Sequence, residues 1–304
     1  MSNTDKPLCH ICHTPTDFLM NKDGFDEYIC RTCSLSFVHP QPEAEWLRDK
    51  VYSAESGYQG NKGSNLKIPI SPRYKKTIDY ILQKKKTGTL LDVGCSSGQF
   101  MFWAKERGFE CKGVEINKRT AEIARANGFE VHNGFLDSAP FEKNSFDVVY
   151  LGDVIEHVNN PRALVNEAES FLKDGGLFVF STPNMDCFWS DTTLLMYRLF
   201  RIPWAAVTPP HHLFQFSIGN LSRLLNENGF NVTHAEFVSP SSLKYELGSL
   251  HLYKRYKAHK TPTNFLFMIF SFAIYTIIYY LNLLITPFGT KGFQMAVFYE
   301  KRSI

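Results

Sequence analysis

The chain has 304 residues, 44% of them hydrophobic and 21% charged, a globular balance that suggests one large domain with something small beside it. A formal net charge of +3 is too small to mark a nucleic-acid binder. The polar start Met1–Pro7 lacks the apolar core of a secretory leader, so no signal peptide is expected.

The first readable pattern is metal chemistry. Cys9-His10-Ile11-Cys12 and Cys30-Arg31-Thr32-Cys33 are two CxxC pairs separated by seventeen residues, the spacing of a four-thiolate zinc site with a hairpin between the pairs. Thiols in this pattern suit a reducing, cytoplasmic setting better than disulfides do. Four thiolates complete a tetrahedron, so Zn2+ on Cys9, Cys12, Cys30 and Cys33 is expected to be structural, with His10 and His13 surplus to it. About 40 residues bury too little apolar surface to fold alone, and the metal would supply the missing energy. The expected organisation is a zinc-ribbon-like module over 1–42, a short helix (Glu43–Lys50) and linker over 43–72, and an α/β domain over 73–304.

From Tyr74–Lys86, which reads as a basic amphipathic helix, strands and helices alternate. Strands are predicted near Thr89–Val93, Cys111–Ile116, Glu130–His132, Phe146–Leu151 and Leu177–Ser181, then near Asn231–Val238 and Phe293–Glu300. Helices are predicted at Gln99–Arg107, Lys118–Asn127, Pro161–Leu172 and Ile218–Asn228. Such alternation gives a doubly wound, Rossmann-like parallel sheet.

The first strand runs apolar into Asp92 and then into the small-residue turn Gly94-Cys95-Ser96-Ser97-Gly98, while the second strand ends in Glu115. This arrangement binds an adenosine-containing ligand at the carboxyl ends of parallel strands. No GxGxxG phosphate pattern is present, and Asp92 would repel a pyrophosphate but suit an ammonium group. The pattern Asp92-x-Gly94-x-Ser96-x-Gly98 resembles the first motif, approximately DxGxGxG, of the class I S-adenosylmethionine-dependent methyltransferases of small-molecule type. The resemblance runs from about Lys75 to Tyr299 and includes Phe146–Leu151 with Asp153, Glu156 and His157, and Leu172–Gly176 with Ser181–Asn184.

The resemblance implies a mostly parallel methyltransferase sheet whose last strand is antiparallel, and S-adenosyl-L-methionine as cofactor. Asp92 and the backbone of Gly94, Cys95, Ser96 and Gly98 would hold the methionine portion, and Glu115 the ribose hydroxyls. Ile116 would pack on the adenine, and the Leu151 carbonyl would face the methionine end. Two departures stand out. Ser96 occupies a glycine position, where a positive φ would be strained. After strand three, Leu136 and Asp137 stand in for the usual adenine-binding acid.

Methyl transfer needs alignment, desolvation and a base where the acceptor loses a proton. Asp153, His157, His211 and His212 are the candidate catalytic residues. The acceptor is expected to be a small molecule methylated on oxygen, a glycan, a lipid-linked compound or a quinone-like compound. The alternatives are an RNA methyltransferase that grips nucleic acid with its zinc ribbon, and a non-catalytic S-adenosylmethionine-binding protein. The aromatic insertion 188–207 reads as a lid over the acceptor. The apolar helix 264–286 holds an uncharged run, Phe265–Ile285, that is long enough for a bilayer, yet the last strand follows it. Its stripe Ser271, Tyr275, Tyr279 and Asn282 lies on one helical face, which points to a helix lying at the inner membrane surface, or packed on its own domain or against a second subunit.

Overall fold

The computed structural model describes residues 6–52, 69–204, 206–238, 243–244, 247, 252–258, 260–285 and 292–301; most of the linker expected within 43–72, namely 53–68, lies outside them. Strands β1 (Thr16–Lys22) and β2 (Phe25–Cys30) form the hairpin expected between the cysteine pairs. Its two-residue loop, Asp23-Gly24, has both φ values positive, the geometry that matches the twist of paired strands. Strand β3 (Ser36–Val38) adds to β2, and the short helix α1 (Ala44–Trp46) runs into a π-helical turn at Leu47–Val51.

The larger unit begins with α2 (Pro72–Lys84), whose Ser71 cap and leading proline set its start. It continues through β4 (Gly88–Val93), α3 (Gln99–Lys105), β5 (Phe109–Glu115), α4 (Lys118–Ala126), β6 (Glu130–Asn133), β7 (Phe146–Gly152), α5 (Pro161–Phe171) and β8 (Leu172–Pro183). Then follow α6 (Phe188–Phe200), β9 (Phe214–Gln215), α7 (Ile218–Asn226), β10 (Phe230–Val238), α8 (Leu252–Ala258), α9 (Pro262–Ile285) and β11 (Gln294–Lys301). The main sheet is ordered β10-β11-β8-β7-β4-β5-β6, with β4 to β8 parallel and β11 antiparallel to both neighbours. This is the expected Rossmann-like methyltransferase architecture. Alternate strand residues feed two cores: Leu91, Val93, Val149 and Leu151 face one side, while Leu90, Val148 and Tyr150 face the other. Burial on both faces explains why these strands read as continuous apolar runs. Asp174-Gly175-Gly176 is a bulge inside β8 rather than a turn before it: Leu172 pairs with Phe146, and Leu177 with Val148.

The division at residue 42 is not a break in the fold. Strand β9, from the chain beyond residue 200, completes the N-terminal sheet in the order β1-β2-β3-β9. Buried Lys22 donates to the carbonyls of Trp204 and Val207. Glu27 is buried beside Ser36 Oγ at 2.9 Å and Gln215 Nε2 at 3.2 Å. Burial pushes the Glu27 carboxyl up to about 8. A folded value above the unfolded one favours the protonated fold, so stability is full below the unfolded value and is lost as pH rises through 8. Urea unfolding between pH 6 and 9 is therefore expected to lose on the order of a few kcal/mol, and the neutral Glu27→Gln to flatten most of that slope. An unchanged slope in the variant would refute the assignment.

Helix α9 buries Ser271, Tyr275, Tyr279 and Asn282, the stripe read from the sequence. Tyr275 Oη donates to Pro203 O at 2.7 Å, and Trp189 meets Tyr275 and Tyr279 edge to face. The insertion, expected as a lid, thus forms a platform under α9, with Trp189 and Trp204 buried in their shared cluster. Because β10 and β11 on either side of α9 pair within one sheet, the chain leaves and returns on the same side.

Candidate active site at the carboxyl ends of the parallel strands

Strand β4 delivers Asp92, 2% exposed, to the sheet edge, and the next turn is held down by Gly94 N and Cys95 N, both donating to Val114 O. Gly94 (φ +77°) and Gly98 (φ +88°) take left-handed geometry, and a Cβ on Gly94 would lie 2.4 Å from Val154 Cγ2. Ser96 has φ +50°, so the strain expected at this departure is present. Its Oγ and that of Ser97 are buried without hydrogen-bond partners among the described residues. Buried Cys95 packs against Gly113 of β5, which has no room for a side chain.

Strand β5 brings Glu115 beside this turn. Its carboxylate accepts from Ser96 N and Asn117 N, each at 2.7 Å. Burial raises the Glu115 carboxyl, and these N–H groups oppose the shift. Burial, and then Glu115 itself, push Asp92 well above the ordinary carboxylate range. Two raised acids, with two orphan hydroxyls at the same turn, suit a ligand that brings a cation and polar groups. S-adenosylmethionine, with an ammonium and ribose hydroxyls, fits this donor and acceptor set.

Ile116 follows, half-buried, and Asn133 clips the end of β6 to the carbonyls of Glu115 and Ile116. Leu136 is buried on a short 3-10 turn, and Asp137 on the same turn is exposed. Leu151 lies wholly buried in β7 between Val93 and Phe180.

The acceptor-side residues meet after β7. Asp153, at φ +55°, is gripped by both terminal nitrogens of Arg73 at 2.8 and 2.6 Å. This pairing makes Asp153 a charge-bearing anchor rather than a free base. The His157 and His212 rings stand edge to face at 4.8 Å, while His211 is exposed and offers its carbonyl to His157 Nδ1. Tyr52 Oη donates to the same carbonyl at 2.8 Å and lies 3.0 Å from His157 Nδ1. Glu156 is 1% exposed behind them. Sequence reasoning missed Arg73 and Tyr52, because partners 80 and 105 residues away leave no local signal.

The four cysteines converge as expected. Cys9–Cys33, Cys12–Cys30 and Cys12–Cys33 sulfurs lie 3.6, 3.3 and 3.8 Å apart. A tetrahedral thiolate site with Zn–S of about 2.3 Å has edges of about 3.8 Å, so the cluster is compatible with zinc.

Comparison with known proteins gives a consistent picture. A family model described as a methyltransferase domain matches residues 69–235. A sarcosine/dimethylglycine N-methyltransferase of Aphanothece halophytica is 34% identical over 128 residues, covering 38% of this chain and 46% of its own. A ubiquinone biosynthesis O-methyltransferase of Idiomarina loihiensis is 33% identical over 102 residues, covering 31% and 42%. The chain thus spans about half the length of the curated relatives it matches. The S-adenosylmethionine dependent methyltransferase structure from Mesorhizobium loti superposes with a TM-score of 0.47 at 17% identity, covering 74% of this chain and 96% of its own.

Proposed function

On the premise that the chain belongs to the methyltransferase-domain family, matched over more than half its length, we propose that it transfers the methyl group of S-adenosylmethionine to an oxygen of a small-molecule acceptor. The observation that carries this reading is the buried pair Asp92 and Glu115 flanking the left-handed Gly94–Gly98 turn. The sulfonium of the bound cofactor supplies an activated methyl. Asp92 and the turn fix the cofactor, and the segment from Asp153 to His157 forms the wall beside the transfer line. The Arg73–Asp153 pair holds that wall in place. When the acceptor oxygen takes the methyl, its hydroxyl proton would pass to a histidine of the Glu156, His157 and His212 cluster. The four thiols take a structural zinc ion.

Oxygen is favoured by the histidine cluster and by relatives named for ubiquinone biosynthesis O-methylation. The relative named as a sarcosine/dimethylglycine N-methyltransferase marks nitrogen as the competing outcome. An RNA substrate is disfavoured by the knuckle, where Asp17 pairs with Lys6 and Arg31. Incubation with methyl-labelled cofactor and fractionated phenolic, lipid-linked and glycan extracts is expected to label an ether-linked methyl in one small-molecule fraction. Label found only in amines or in RNA would overturn the reading.

The acceptor is proposed to lie at an anionic lipid surface. Leu266, Ile269, Phe270, Ile277, Leu281 and Leu284 of α9 are exposed, Leu195, Leu199 and Phe200 of α6 are exposed beside them, and Lys257 and Lys260 near the start of α9 are exposed as well. Such an apolar face with basic residues at one end suits a helix lying in the interface. Flotation with phosphatidylglycerol vesicles is expected to recover the protein, and Leu266→Glu with Ile269→Glu to lower recovery at least about tenfold. Equal recovery of the double variant would refute the lipid contact, and dimerisation without flotation would assign the face to a second copy.

A further inference from the structure

The group behind the acceptor wall is unusual in its hydrogen bonding. Glu156 is 1% exposed, and among the described residues neither carboxylate oxygen has a partner at full hydrogen-bond geometry, the Thr182 hydroxyl being the polar group beside it. A buried carboxylate normally accepts several bonds, because leaving it bare is costly. His157 Nε2 lies 3.9 Å from Glu156 Oε1.

The tautomer of His157 follows from its other nitrogen. Nδ1 lies within hydrogen-bonding reach of the His211 carbonyl, which only accepts, so Nδ1 carries the hydrogen. That leaves a lone pair on Nε2, pointing toward a carboxylate that also offers only lone pairs. His212 brings a third acceptor, with a buried Nδ1 that has no partner among the described residues. One ligand atom from each of Glu156, His157 and His212 lies within 4.8 Å of the others. Ligands on a metal at about 2.1 Å lie at most about 4.2 Å apart, so a small rotamer change closes the set.

We propose that Glu156, His157 and His212 form a second metal site, for a divalent transition-metal cation, separate from the four cysteines. Two imidazoles and one carboxylate on a single face suit Zn2+, Mn2+ or Fe2+ and leave coordination positions open. The His211 carbonyl and Tyr52 act as the outer partners that fix the His157 ring for ligation. The carboxylate then gains a directly bound positive partner, where Arg73 acts on it only at a distance while paired to Asp153. The open positions would take an acceptor hydroxyl, whose proton a cation makes easier to lose. The site stands on this geometry and does not depend on the identity of the acceptor.

Mn2+ is the suitable probe, because thiolates select zinc while oxygen and imidazole ligands accept manganese. The full chain, zinc-loaded, is titrated with Mn2+ and followed by electron paramagnetic resonance. One Mn2+ per chain is expected, with affinity at least tenfold weaker in Glu156→Gln and in His212→Ala, and unchanged in His234→Ala, whose ring pairs with Glu236 elsewhere. If Glu156→Gln fails to fold, His212→Ala, only half-buried, carries the test. Absence of Mn2+ binding in the parent chain, or equal binding in all variants, would overturn the site and leave a proton shared by Glu156 and His157 in its place.

Discussion

Replacing Gly94 with alanine is expected to weaken S-adenosylmethionine binding at least about 100-fold while leaving the chain folded. Two separate costs act at this position. The backbone sits at φ +77°, where an L side chain costs about 1–2 kcal/mol. The added Cβ would also stand 2.4 Å from Val154 Cγ2, so the turn or the Asp153–His157 wall must move. A loss of about 2.7 kcal/mol in binding is 100-fold, and displacing the backbone that faces the ligand by a fraction of an ångström is enough to reach it. Gly128 isolates the two effects: its φ is +85° but nothing lies within 4 Å of its Cβ position. Gly128→Ala should therefore lower stability by about 1 kcal/mol and leave cofactor affinity within threefold. Titration calorimetry on both variants decides the matter. Equal affinities in the two would show that the Gly94 approach to Val154 does not shape the site.

The contrast between these glycines also shows what the sequence made legible. Asp92, the small-residue turn and Glu115 were readable because each sits in a local pattern: an apolar run, its end and the residue types that follow. Strands buried on both faces announced themselves as unbroken apolar runs, and the Asp23-Gly24 turn marks its hairpin by backbone chemistry alone. The polar stripe of α9 was readable as a face, although its partner, the Trp189 platform, was not. Strands β3 and β9 escaped notice because two or three residues carry no period, and their pairing joins segments far apart in the chain. Arg73 escaped for a related reason: nothing near it predicts that it will neutralise Asp153. Those long-range pairings make the acceptor side, so that half of the site was the less legible one.

They also carry the largest consequence expected of losing a metal from the proposed four-cysteine site. In a Cys30→Ser, Cys33→Ser chain, backbone amides of residues 206–217 are expected to exchange with solvent at least about 100-fold faster, whereas those of β4 and β5 hold. The reason is a short mechanical path. Cys30 and Cys33 flank the turn into β3, whose Phe37 pairs with Phe214 and whose Val38 N donates to Leu213 O. Leu213 N and Phe214 N in turn both donate to Glu156 O. The His10 ring, between the first two thiols, packs edge-on against Phe37 and Phe214. If, as proposed, a metal on the four thiols supplies the folding energy of so small a module, then without it β3 is expected to open and β9 to lose its only strand partner among the described residues. The segment carrying His211 and His212 then loosens at the acceptor site. The cofactor turn is held instead by Val114 and the parallel sheet, and it should bind S-adenosylmethionine within threefold of the parent. Hydrogen exchange by mass spectrometry, with calorimetry of cofactor binding alongside, separates the outcomes. Faster exchange throughout the sheet would mean that the metal supports the whole fold. No change at 206–217 would mean that the cysteine module is only an appendage. The expected split assigns the metal a position in the molecule that spacing alone could not: it braces the acceptor side of the site and leaves the donor side to the glycine turn.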